Sequence, residues 1–131
     1  MQNELIKLLK NSYAPYSSYH VSAILITNNN KIYHGVNIEN ASFGATICAE
    51  RVAIYKAISE GETSFKELHI INDTEKIGMP CFICRQVFLE FFDENTKITA
   101  YNIKGDHKTY TTKELCPYPF NKEDLKWKAV S

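Results

Sequence analysis

The stretch Pro80 to Phe92, "PCFICRQVFLEFF", constrains this chain more than any other. Cys81 and Cys84 stand three apart where an apolar pattern of helical spacing begins. Both sulfurs can therefore face one point. Backbone N–H groups and the helix dipole at a helix start favour thiolates. Such a pair is a redox couple, half of a metal site, or two unrelated core residues. A redox pair of the thioredoxin kind also follows a strand and opens a helix. Phe82 and Ile83, however, supply neither the Gly nor the Pro usual between its cysteines. Taken alone, the pair leaves all three readings open.

The rest of the chain narrows the setting. Its 131 residues, 44% of them hydrophobic, predict one domain over 1–131 with a core that needs no disulfide staples. Lys plus Arg is 15 and Asp plus Glu is 15, so the formal net charge is zero. That argues against a protein that tracks nucleic-acid backbones. The apolar runs are only a few residues long, too short for a bilayer span. The opening "MQNELIKLLKNS" reads as an amphipathic helix rather than a signal peptide. The expected compartment is the cytoplasm, where four cysteines serve as thiolates or metal ligands rather than disulfides.

Periodicity predicts a helix over 3–13, a Pro- and Ser-rich loop over 13–20, and a hairpin of strands 21–27 and 31–38 around "NNN". An irregular polar segment, 39–46, leads to a strong helix over 47–61, closed by Gly61. A strand over 66–73, a helix over 81–93, a strand over 97–103 and a short strand in "KTYTT" follow. The tail carries helical turns at 112–115 and from the N-cap Asn121 to Trp127. The order predicts an α/β fold, a three-layer α-β-α sandwich around a mixed sheet of about five strands.

A third cysteine decides how the pair reads. "TICAERVAI" places Cys48 at the start of another helix, with Glu50 two residues on. Cys-x-Glu followed by Pro-Cys-x-x-Cys resembles the order in zinc deaminases, with Cys in place of the usual His. Three protein ligands and an open position make a catalytic zinc rather than a closed structural one. Cys116 has no partner at metal-ligand spacing and reads as a core residue. Residues at i and i+2 leave a helix on opposite sides, so Cys48 and Glu50 serve one site only if the helix aims its N-terminus there. Zinc with three thiolates is net negative and acidifies water poorly. Two helix N-termini and Arg51 would compensate that charge.

These residues resemble those of the small homotetrameric cytidine deaminases over nearly the whole chain. "YAPYSSYHVSA", "GVNIENASFGATICAERVAI", "PCFICRQV" and "KELCPYPFNKEDL" each look like a segment of that family. The resemblance implies zinc held by Cys48, Cys81 and Cys84, with Glu50 shuttling protons. It implies that Asn37 and Glu39 bind the ribose hydroxyls, that the backbone near Ala49 and Cys81 meets the base edge, and that Tyr19 packs near the pyrimidine. Phe120 would close the pocket of a neighbouring subunit. The implied reaction is hydrolysis of free cytidine and deoxycytidine to uridine and deoxyuridine plus ammonia, by zinc-activated water, in pyrimidine salvage. Two other readings are a same-fold deaminase of another aminopyrimidine such as blasticidin S, and a non-catalytic zinc or redox module. The Asn37/Glu39 pair argues against the first, and an intact Glu50 against the second.

The chain departs from the family at Phe82 and Ile83, usually Gly then Ala, at "VSAI" and at "LCP". None of these removes a catalytic group, but Phe82 puts the packing of the zinc loop in question. All four histidines read as structural or surface residues. Tyr118, Phe120 and Trp127 are expected in the core or, in an oligomer, at its interface.

Overall fold

The computed structural model describes residues 1–130, with side chains through residue 126. The β-branched run Val21–Thr27 forms strand β1, and Ile32–Val36 returns beside it as β2. Asn30 takes the left-handed conformation that so tight a reversal needs (φ 65°). Phe65–Asn72 forms β3, Lys97–Tyr101 β4 and His107–Thr111 β5. The sheet order is β2-β1-β3-β4-β5, and only the β3–β4 pair is parallel. A parallel pair needs a crossover. Helix α3, Phe82–Phe91, supplies it. Helix α1 spans Gln2–Leu8, α2 Ala49–Ser59 and the short α4 Thr112–Leu115.

Alternation along the strands sorts the core into two layers. Ile24 and Ile71 meet Leu5 of α1 on one face of the sheet. Ala23, Leu25, Leu68, Ile70 and Ile98 meet Ala53, Ile54, Cys84 and Phe88 of α2 and α3 on the other. The expected three-layer arrangement with five strands is the one observed.

Two glycines set helix α2. Gly61, at φ 94°, sends its N–H to Ile58 O (2.9 Å), and Glu62 N–H reaches Ala57 O (3.0 Å), a Schellman stop. Gly35 on β2 lets the first turn of α2 lie directly on the strand. A Cβ there would fall 2.2 Å from Ala49 O and 2.7 Å from Ala53 N.

Element ends differ from expectation where tertiary bonds intervene. Helix α2 starts at Ala49 rather than 47, because Ile47 exchanges two backbone hydrogen bonds of 3.0 Å with Ile38 and stays extended. Helix α3 starts at Phe82, with Cys81 as its N-cap. The first helix tightens into a 3-10 turn over Leu9–Asn11. The tail is a 3-10 stretch, Lys122–Val130, before which Asn121 Oδ1 accepts the Glu123 N–H (3.0 Å) as a cap should. The side chain of Trp127 lies outside the described residues.

Candidate active site

The starts of α2 and α3 converge at the carboxyl end of β3. Cys48 is the N-cap of α2 and Cys81 the N-cap of α3, both with extended backbone. Cys84, one turn into α3, is fully buried. The three sulfurs lie within 4.8 Å of one another, with Cys48 and Cys81 Sγ 3.6 Å apart. A tetrahedral zinc about 2.3 Å from each sulfur would hold them roughly 3.8 Å apart, so the set fits. Its chemistry fits as well. Three thiols this close cannot all ionise without a cation among them. The hydrogen bond from Cys84 holds Cys48 down at about 5, against the effect of burial, and Arg51 and Cys81 lower it further. The same bond to Cys48, then burial, push Cys84 up.

Arg51 stands at the third position of α2 and folds back on this cluster, its Nη2 3.4 Å from Cys48 Sγ. Burial works against its charge, but the bonds to Cys48 and Cys84 outweigh that and raise its pKa. Its Nε is buried with no hydrogen-bond partner among the described residues. Glu50, at the second position, is 4% exposed. Burial, and then the negative charge of Cys48, push its carboxyl up to about 7. A carboxyl in that range can both take and give a proton near neutrality.

Cys48, Cys81 and Glu50 form the floor of a cavity of about 250 Å³, whose walls include Tyr19, Asn37, Glu39, Ala49, Asn72 and Met79; Cys84 and Arg51 do not line it. A larger cavity of about 760 Å³ lies under the C-terminal segment, between Leu89, Phe92 and Pro117, and holds none of the three sulfurs. Past the end of β2 the chain stays extended through single bridges from Ile38 to Tyr13 and Ile47. Asn37 and Glu39 therefore both reach the cavity. Asn37 Oδ1 accepts from Ser12 Oγ and from Val21 N–H (3.0 Å), and its Nδ2 donates to Tyr19 O (2.7 Å). One amide hydrogen remains for a ligand. Glu39 accepts the N–H groups of Tyr16 (2.9 Å) and Ser17 (3.2 Å) and the Ser17 hydroxyl. That hydroxyl, ahead of the two N–H groups, holds the Glu39 carboxyl below the usual carboxylate range. Tyr19 is 42% exposed on one wall, and burial, then the charge of Glu50, raise its pKa.

Phe120 does not line this cavity. It is 59% exposed, and its carbonyl accepts from Gln86 Nε2 (2.7 Å). Cys116 is buried away from the sulfur cluster, its thiol donating to Arg85 O (3.6 Å). Sequence reasoning missed Asn72 and Ser17. Asn72 offers a signal, a polar residue closing the apolar run "HII" at a strand's carboxyl end. Ser17 offers none outside the loop that folds it over Glu39.

Residues 1–111 match the family model described as the cytidine and deoxycytidylate deaminase zinc-binding region. The chain belongs to this deaminase family. Among its relatives, the cytidine deaminase of Sporosarcina psychrophila is 44% identical over 123 residues, covering 94% of this chain and 90% of that one. The cytidine deaminase of Halalkalibacterium halodurans is 40% identical over 122 residues, 93% and 92% of the two chains. The crystal structure of cytidine deaminase from Burkholderia pseudomallei superposes with a TM-score of 0.83 at 35% identity, covering 92% of this chain and 99% of that one. As a member of a zinc-binding deaminase family, the chain carries its candidate zinc ligands where the three sulfurs meet.

Proposed function

We propose that this chain hydrolyses free cytidine and deoxycytidine to uridine and deoxyuridine, releasing ammonia. One observation carries the reading: a buried carboxyl, Glu50, beside three convergent thiols, at the floor of a cavity walled by Asn37 and Glu39. Cys48, Cys81 and Cys84 hold zinc. Zinc in that position supplies Lewis acidity that lowers the pKa of a water toward ~7. Glu50 takes one proton from the water whose oxygen adds to C4 and gives it to ring N3. It then takes the remaining proton of the added hydroxyl and gives it to the amine, which leaves as ammonia when the C4–N bond breaks. Arg51 and two helix N-termini offset the charge of the thiolates. The backbone at Ala49 and Cys81 meets the base edge, Tyr19 packs against the ring, and Asn37 and Glu39 bind the sugar hydroxyls. Glu39, kept ionised by Ser17, acts as an acceptor.

The same reading assigns a homotetramer in which Phe120 closes a neighbour's pocket. The exposure of Phe120 and its absence from the lining of its own chain's cavity support this. It assigns the cytoplasm, since a centre of three free thiols is kept reduced there. The function belongs to pyrimidine salvage. Among the described residues no helix is long and apolar enough to cross a membrane. The test is a spectrophotometric assay on cytidine with zinc analysis of the same sample. Turnover with about one zinc per chain is expected. Cys84→Ala is expected to lose both, and full zinc occupancy in that variant would refute the ligand set.

A further inference from the structure

Phe82 stands between two cysteines of the sulfur cluster and is 76% exposed. A large apolar side chain so exposed gains little by burial. It has a specific partner instead: the guanidinium carbon of Arg85 lies 4.4 Å above its ring centroid, within cation–π range. Arg85 is bonded on two further sides. Its Nε donates to Pro80 O (2.9 Å) and its Nη1 to Leu115 O (3.1 Å). Pro80 O belongs to the peptide that leads into Cys81. A peptide is planar, so holding that oxygen fixes the plane from which Cys81 leaves the chain. Arg85 thus grips both flanks of Cys81, the peptide before it and the ring after it.

Cys81 needs such a grip more than the other two. Cys84 is fully buried and Cys48 partly so, whereas Cys81 is exposed and has little core packing to place it. We infer that Arg85, stacked on Phe82, is a positioning residue that preorganises Cys81 for the metal. The inference rests on the zinc reading of the three cysteines. It also gives Phe82, bulky where small residues are usual, a role in the zinc loop.

The test is the rate at which zinc-loaded protein gives up its metal to an excess of chelating dye, with cobalt-substituted spectra as a second readout of thiolate geometry. Phe82→Leu keeps an apolar side chain but loses the ring, and should release zinc about 2- to 5-fold faster. Phe82→Tyr keeps the ring and should release it at the parental rate. Arg85→Met keeps the stem but loses the charge and both donors, and should release it about 10-fold faster or more. In the Arg85→Met background, Phe82→Leu should add nothing, because the ring has lost its partner. Parental release from Phe82→Leu would overturn the inference. So would an equal acceleration by Phe82→Leu in both backgrounds, which would show the ring acting without Arg85. If Arg85→Met proves unfolded by circular dichroism, the comparison of Phe82→Leu with Phe82→Tyr still decides. A parent chain that takes up no zinc would refute the metal centre itself, and the clamp with it. Unchanged release in loaded variants would refute the clamp alone.

Discussion

At the scale of single residues, the proposed function separates groups that do chemistry from groups that hold the site together. Glu50 is of the first kind. Glu50→Gln is nearly isosteric, so fold and zinc content should persist. An amide cannot shuttle a proton, and kcat should fall by about 10³-fold. Near-parental turnover of cytidine by that variant, with zinc content checked alongside, would remove Glu50 from the mechanism. Asn37 is of both kinds. Its side chain ties Ser12, Val21 and the Tyr19 carbonyl together from within the fold. Asn37→Ala leaves those partners unmatched and should destabilise the protein by about 2 kcal/mol. It should also raise KM. Chemical denaturation read beside steady-state kinetics checks this; a loss of affinity with undiminished stability would mean that the anchoring bonds contribute nothing.

At the scale of elements, the site depends on how two helix starts are aimed. The N-terminus of α2 is set by its contact with β2 at Gly35, where there is no room for a side chain. Gly35→Ala should force helix and strand apart, costing about 3 kcal/mol and lowering Tm by roughly 10 °C. The displacement acts on Ala49, the residue between Cys48 and Glu50, so zinc content should fall with stability. Calorimetry and metal analysis of the variant test both, and a parental Tm would show that α2 has slack in its seat. The α3 start is governed by Cys81, whose Sγ accepts the Cys84 N–H at 3.4 Å. One sulfur there caps a helix and stands ready as a metal ligand.

At the scale of the whole molecule, cavity size and charge choose the substrate. About 250 Å³ between Tyr19, Glu39 and the sulfur cluster suits one nucleoside. A site built around sugar hydroxyls leaves polar groups unpaired when the sugar is absent, at a cost of orders of magnitude in kcat/KM. Free cytosine should therefore be far poorer than cytidine. A cytosine within a polynucleotide should be refused, because Glu39 would face phosphate and the chain has no net positive charge. Competition among cytosine, cytidine and a short single strand, scored by uracil formation, tests this. Equal use of the strand would place the chain among polynucleotide deaminases, and equal use of cytosine would refute the Asn37/Glu39 assignment. A homotetramer should appear in sedimentation of the active protein; an active monomer would leave Phe120 without a pocket to close.

What the sequence by itself determined is local. Cysteine spacing, the presence of the helices that carry it, the hairpin turn and the stop at Gly61 are written within a few residues of one another, so periodicity and turn chemistry reveal them. The family resemblance rests on the same short motifs, and the site residues drawn from it, Phe120 apart, line the cavity or stand beside it. What only the tertiary structure decided involves partners far apart in the chain. Ser17 meets Glu39 across 22 residues and Arg85 meets Leu115 across 30. Ile47 is kept out of α2 by a bridge to Ile38. The anchoring of Asn37 to Ser12, Val21 and Tyr19, the place of Asn72 in the wall and the pairing of Phe82 with Arg85 are of this kind. Such contacts depend on sheet register, crossover and loop closure, which place side chains that no spacing along the sequence relates.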